Sequence, residues 1–189
     1  MKRIVIGISG ASGAILGIEL LRAFKYLDEW ETHLVISDTA EFTITEETSY
    51  SVEEVKALAD RVYSSKDLAA AVSSGTFKTE GMVIVPCSMK TAAGIACGYS
   101  DNLLLRAADV TLKEHRKLIL VARESPLSLI HLKNLELLAQ CGAIIMPPVV
   151  SFYTKPGSIQ DVINQVTGRI LNSLGIDSSL LKRWDPEKI

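Results

Sequence analysis

The sequence lacks a surplus of charge of either sign. Twenty Lys and Arg stand against 22 Asp and Glu, a net charge of −2, with no long run of one sign. Domains that bind nucleic acid usually carry a basic excess, so no nucleic-acid partner is expected. No apolar run reaches the length of a bilayer span, and the opening stretch lacks the layout of a secretory signal. No membrane role is expected, and the cytoplasm is the expected compartment. Cysteine is scarce: Cys87, Cys97 and Cys141 are odd in number and far apart, which excludes a disulfide framework and a zinc pattern. Nothing resembles a linker either, so the 189 residues are expected to make a single domain, 1–189, with a sizeable core.

What is present is apolar. The 48% hydrophobic content implies a well-filled interior, or surface left for an oligomer to bury. Five short runs read as strands: Arg3–Ile6, Thr32–Ser37, Gly81–Pro86, Lys117–Ala122 and Ala143–Met146. Pro86 is expected to stop the third, and Pro147-Pro148 to break the fifth. Between them lie helical segments at Ile15–Leu21, Thr39–Thr48, Ser51–Ala59, Asp101–Glu114 and Ser128–Gly142, with a last one at Ser158–Leu174. Ser51-Val52-Glu53-Glu54 is a capping box, Gly142 fits a helix C-cap, and Arg61–Gly75 is expected to be less regular, with a loop at Ser73-Ser74-Gly75. Strands that are unbroken apolar runs, alternating with helices, imply a mostly parallel sheet covered on both faces. Right-handed crossovers then give an α/β fold, a three-layer α/β/α sandwich. The tail from about 176 to 189, with Trp184, is expected to dock on a neighbouring subunit.

The chemistry gathers after the strands. Gly7-Ile8-Ser9-Gly10-Ala11-Ser12-Gly13-Ala14 is a strand-to-helix turn that aims backbone N–H groups at an anion. Its glycines are spaced by three, unlike the dinucleotide fingerprint, and a plain tight turn is the alternative. The hydroxyls of Ser9 and Ser12 favour a phosphate-bearing cofactor. Asp38 keeps an NAD reading open, or starts a helix; Glu46 and Glu47 read as a solvated helix face. Cys87-Ser88-Met89-Lys90-Thr91 is a second strand end with hydroxyls and an amine at a helix start. It suits an anion or a cofactor ring edge, or is an ordinary serine cap beside an exposed lysine. The small residues Ala92 to Gly98 allow close approach of a flat ligand or a neighbouring subunit. Arg123-Glu124, after the fourth strand, places charge where open α/β sheets bind ligands, or forms a local ion pair. Arg106 and Lys113 read as solvated charges, His33 as a buried histidine satisfied by a neighbour, and His131 as a capping or surface group. The loops after the five strands carry Ser12, Ser37, Ser88, Arg123 and Tyr153, all expected at one sheet edge, as one site.

In order and spacing, Gly10-Ala11-Ser12-Gly13, Ile36-Ser37, Pro86-Cys87-Ser88-Met89-Lys90-Thr91, Arg123-Glu124-Ser125-Pro126-Leu127 and Tyr153 resemble the flavin prenyltransferase family. Those enzymes make prenylated FMN for partner decarboxylases, and the resemblance covers nearly the whole chain. It implies a Rossmann-like (flavodoxin-like) flavoprotein fold, a homododecamer and a metal-independent transfer. Reduced FMN would be a substrate and dimethylallyl phosphate the donor. Carried over by position, Gly10, Ala11, Ser12, Ser37, Ser88, Met89, Lys90, Thr91 and Arg123 would bind FMN. Tyr153 and Arg169 would meet the prenyl phosphate, with Lys113, Arg106 and Glu124 nearby, and Glu47 and Glu124 would move protons. Arg169 stands where some relatives carry lysine. Two rivals are a related flavoprotein class that decarboxylates peptidyl cysteines and a non-enzymatic FMN-binding subunit of a decarboxylase. The first places P-x-M-N after its fifth strand; Met146-Pro147-Pro148-Val149-Val150 has no asparagine.

Overall fold

Buried, β-branched residues set the centre of the first unit, residues 1–147. The computed structural model describes residues 1–186. The central strands β1 (Lys2–Ile8), β4 (Gly81–Cys87) and β5 (Lys117–Ala122) are buried almost throughout. Beside them lie β2 (Trp30–Ile36), β3 (Arg61–Tyr63) and β6 (Ile144–Ile145), in the order β3-β2-β1-β4-β5-β6. All neighbouring pairs are parallel. The helices of this unit are α1 (Ala14–Phe24), α2 (Asp38–Glu47), α3 (Val52–Lys56), α4 (Met89–Ala96), α5 (Leu103–Lys113) and α6 (Leu129–Gln140).

The period of two along each strand sorts residues between the two helical layers. Val5, Met82, Ile84, Leu118 and Leu120 pack with Leu103, Leu104, Ala107 and Ala108 of α5. Ile4, Ile6 and Ile8 are completely buried and alternate with Val5. On their side α1 lies flush with the sheet at Gly17, where a Cβ would fall 2.6 Å from the Val85 carbonyl oxygen and 3.0 Å from Ile8. Chain order reverses between β1 and β4, which opens a crevice at their carboxyl ends.

Helix starts are set by short polar side chains. Ser37, Ser51, Ser88, Asn102 and Ser128 each accept the N–H three residues on, opening α2 to α6. Losing one such cap costs about 1 kcal/mol. The Ser51 box forms with Glu54, and His131 completes another with Ser128, as its capping reading anticipates. Gly142, past the end of α6, takes φ 94°, the left-handed conformation of a C-cap.

Three expectations are corrected. A strand opens the less regular stretch from Arg61, because Arg61–Tyr63 pairs with His33–Val35 and adds a sixth to the five expected. Pro86 does not stop β4, which runs on to Cys87; the ladder instead shifts register between Ile84 and Cys87, where proline offers no N–H. The last strand is two residues long rather than four.

The second unit, from residue 148, is built on α7 (Ile159–Leu174). Ser158 and Asp161 cap its start and Gly175, at φ 85°, its end. The chain then turns back along α7, and Arg183 donates to Asn172 and Asp177. Residues 187–189 of the tail lie outside the described residues.

His33 is 2% exposed and its Nδ1 lies 2.9 Å from the Tyr63 hydroxyl, so it has the neighbour its sequence reading requires. Burial lowers its pKa below 6.5, against the attraction of Glu31, whose Oε2 is 3.5 Å from Nε2. An unfolded histidine takes up its proton near 6.5, and this folded one only at lower pH. Its contribution to stability is therefore present above 6.5 and lost as pH falls through the folded value. Denaturant titrations from about pH 8 to about pH 5 should show a decline that His33→Gln flattens. An unchanged slope in the variant would place the titrating group elsewhere.

Candidate active site

The carboxyl edge of the sheet is laced by main-chain hydrogen bonds between successive loops. Ser37 N–H donates to Ile8 O at 3.0 Å, and Arg123 N–H to Cys87 O at 3.1 Å. Across the reversal between β1 and β4 the main-chain tie, Ser9 N–H to Pro86 O at 3.2 Å, is reinforced by a side chain. Ser9 Oγ donates to Pro86 O at 2.9 Å and accepts from Ser88 N–H at 2.8 Å. The Ser9 hydroxyl is thus turned inward, 1% exposed, and is not part of a phosphate cradle. It holds Ser88 in place, whose own Oγ caps α4 at Thr91 N–H.

Gly13, at φ 106°, opens α1 in the left-handed region and brings no capping side chain. The cap comes from Glu47, the last residue of α2. Its Oε2 accepts from Gly13 N–H at 2.7 Å and Ala14 N–H at 3.3 Å. Glu47 is exposed, as its solvated reading has it, but it also caps α1, so these two N–H groups already face a carboxylate rather than an incoming phosphate. Burial works to raise the Glu47 carboxyl. The Gly13 N–H, the Ser12 hydroxyl, the Ala14 N–H and the charge of Arg123 outweigh it and hold it below the usual range. The Glu47 carboxylate is thus held ionised at a helix N-terminus.

The remaining edge is polar and open. Ser12, Lys90, Arg123 and Glu124 are exposed, and Ser37 and Ser88 half-buried. Glu124 Oε1 accepts the Ser125 N–H at 2.9 Å. Hydroxyls, an ammonium and a guanidinium around a crevice suit an anionic partner with a hydrogen-bonding ring. Asp38 is drawn away from a ribose role: it is the first residue of α2, accepts from Ser65 Oγ at 2.8 Å and pairs with Lys66 at 3.5 Å. In the second unit, Tyr153 OH donates to Lys182 O at 3.3 Å and the Tyr153 ring meets Trp184 edge-to-face at 5.3 Å. Arg169, on α7, is exposed.

The Flavoprotein family model matches residues 1–171. The flavin prenyltransferase UbiX of Escherichia coli K12 is 52% identical over 186 residues, covering 97% of this chain and 98% of that protein. The chain belongs to the flavoprotein family, among its flavin prenyltransferases. Solved structures agree. AnUbiX (PadA1), crystallised with FMN and dimethylallyl pyrophosphate, superposes with a TM-score of 0.95 at 52% identity, covering 97% of each chain. A dodecameric FMN-dependent Ubix-like decarboxylase from Escherichia coli O157:H7 gives 0.96 at 48% identity, covering 97% of this chain and 99% of that one.

Of the family's positions, Gly10, Ala11, Ser12, Ser37, Ser88 and Arg123 fall on the carboxyl-edge loops, and Lys90 on the first turn of α4. Met89 and Thr91 begin α4 but are 8% and 7% exposed, with Thr91 Oγ1 accepting from Ser88 Oγ. Arg106 lies on α5, whose start is tied to Ser65, and pairs with Asp109 at 2.6 Å. Lys113 departs from expectation. It ends α5, just before β5 begins, and pairs with Glu114 at 2.7 Å. Glu124 follows the far end of β5, so the six residues of that strand, roughly 20 Å, separate the two within one chain.

Reasoning from sequence assigned Ser9 to a ligand and gave Gln165 no role, because nothing local in the sequence shows where either polar group points. Ser9→Ala would leave the part-buried Ser88 N–H without its acceptor. A loss of about 1–3 kcal/mol in unfolding free energy is expected. Chemical denaturation checks it, and wild-type stability would mean that the tie contributes nothing.

Proposed function

We propose that this protein joins the dimethylallyl group of dimethylallyl phosphate to reduced FMN, at N5 and then at C6, and hands prenylated FMN to a partner decarboxylase. The observation that carries this reading is the end-to-end likeness to flavin prenyltransferases and to a protein crystallised with FMN and dimethylallyl pyrophosphate together. In it Gly10, Ala11, Ser12, Ser37, Ser88, Lys90 and Arg123 hold the flavin. Met89 and Thr91 contribute by fixing the first turn of α4, since their side chains are buried. Tyr153 and Arg169 receive the phosphate as the carbon–oxygen bond breaks and its electron pair leaves with that group. The new bond at N5 releases a proton. Closure at C6 then needs one proton delivered to the former double bond and one removed from the ring. Glu47, held ionised, enters as a base, and Glu124 serves the same transfers.

Lys113 and Arg106 act from a second copy of the chain. The support is the length of β5, which keeps Lys113 from Glu124 within one chain, and the dodecamer formed by the relative from Escherichia coli O157:H7. A homododecamer in the cytoplasm is the assembly this reading requires. Among the described residues no helix is long and apolar enough to cross a membrane.

Incubation with reduced FMN and dimethylallyl phosphate should raise the flavin mass by one isoprenyl unit. Unmodified flavin would sink the reading and leave the non-enzymatic FMN-binding subunit. Arg169→Ala should weaken donor use about 10–150-fold with FMN retained, the range for one lost charge-assisted contact. Glu124→Gln should leave flavin alkylated at N5 but not closed at C6. Full product from Glu124→Gln at the wild-type rate, with loss of FMN from Arg169→Ala, would reverse these roles.

A further inference from the structure

One long polar side chain is sunk into the second unit. Gln165, on α7, is 7% exposed, and its amide is matched to the main chain of the returning tail. Nε2 donates to Lys182 O at 3.0 Å, while Lys182 N–H donates to Oε1 at 2.9 Å. This is the two-bond pattern by which one peptide group recognises another. Nε2 also lies 3.4 Å from the Tyr153 hydroxyl, which itself donates to the same Lys182 carbonyl. One buried amide therefore gathers α7, the Tyr153 turn and the tail. The tail lies flush on the helix here, since a Cβ on Gly168 would fall 2.6 Å from Leu181 N.

The tie shapes a cavity. Two residues beyond Lys182, Trp184 stands edge-to-face against Tyr153, and both line an open space of about 390 Å³ with Lys155, Lys182 and Arg183 and one acid, Asp185. An aromatic wall beside cationic residues suits an allylic phosphate. The wall is formed by two side chains that are largely exposed, Tyr153 at 46% and Trp184 at 58%, so their own packing holds them weakly. Behind them the tail is tied at Lys182 by the two bonds of the Gln165 amide and by the Tyr153 hydroxyl's own bond to the Lys182 carbonyl.

We propose that Gln165 is a positioning residue for the prenyl donor: it pins the tail at Lys182 and so sets the Tyr153–Trp184 wall, without touching the flavin. The inference rests on the proposed prenyl transfer, with Tyr153 at the donor. Gln165→Met keeps length and removes every hydrogen bond. It should raise KM for dimethylallyl phosphate about three- to tenfold, the scale of lost neutral hydrogen bonds, while kcat and FMN affinity stay near wild type. Trp184 emission should shift to longer wavelength as the wall opens, with Trp30 as an internal reference. A purely structural role would lower the melting temperature without this split between KM and kcat. Read against Lys182→Ala, which loses the ammonium alone, Lys182→Pro also removes the N–H that Gln165 accepts and leaves the α7 sequence unaltered. It should give the same split, and it decides the matter if Gln165→Met does not fold. Wild-type donor KM in folded Gln165→Met, or no change in donor KM from Lys182→Ala to folded Lys182→Pro, overturns the positioning role while leaving the transfer intact. If the unaltered protein adds no isoprenyl unit to reduced FMN, the functional reading and this inference fall together.

Discussion

The arrangement of the first unit depends on how β1 and β4 are joined where chain order reverses. A parallel sheet opens a crevice at that point, and an open crevice needs something to hold its two lips in register. Here the hydroxyl of Ser9 gives its proton to the Pro86 carbonyl and takes the Ser88 N–H. The first bond is buried and the second partly so, where leaving a group unmet is costly. Ser88 in turn starts α4, and Arg123 N–H is tied separately to Cys87 O, so the loops after β1, β4 and β5 are linked one to the next.

Charge at the same edge is arranged by a second constraint. The turn after β1 begins α1 with a glycine that brings no cap, and the deficit is met across the fold by Glu47. Helix dipole, two N–H groups and a nearby arginine all favour the ionised carboxylate. A glutamate that looks expendable on an exposed helix is thus held fixed and ionised at the start of α1. The usual anion site of such folds is occupied by the protein's own side chain.

Much of this was legible in the residues. Unbroken apolar runs announce buried parallel strands, and serine followed by an acid three residues later announces a helix start, as at Ser51 and Ser158. What sequence could not show is where a polar side chain points. Ser9 read as a ligand group and proved to be a tie; Glu47 read as solvated and caps a helix 34 positions earlier. Gln165 meets its partner 17 positions later, with no local signal at either end. The short β3 exists because β2 offers it a register, not because three residues form a strand on their own. Lys113 and Glu124 look close in sequence, yet a whole strand lies between them.

That separation gives the most direct test of the account, in which one catalytic site takes its edge residues from one chain and its α5 cation from another. Lys113→Ala and Glu124→Gln would each be made alone, then co-expressed and assembled as mixed oligomers. Formation of prenylated FMN is the measurement. Neither variant alone should complete the product at more than a small fraction of the wild-type rate. The mixture should recover about a quarter of it, the share of sites that draw both intact residues by random pairing. A mixture as inactive as its parents would contradict a site shared between chains.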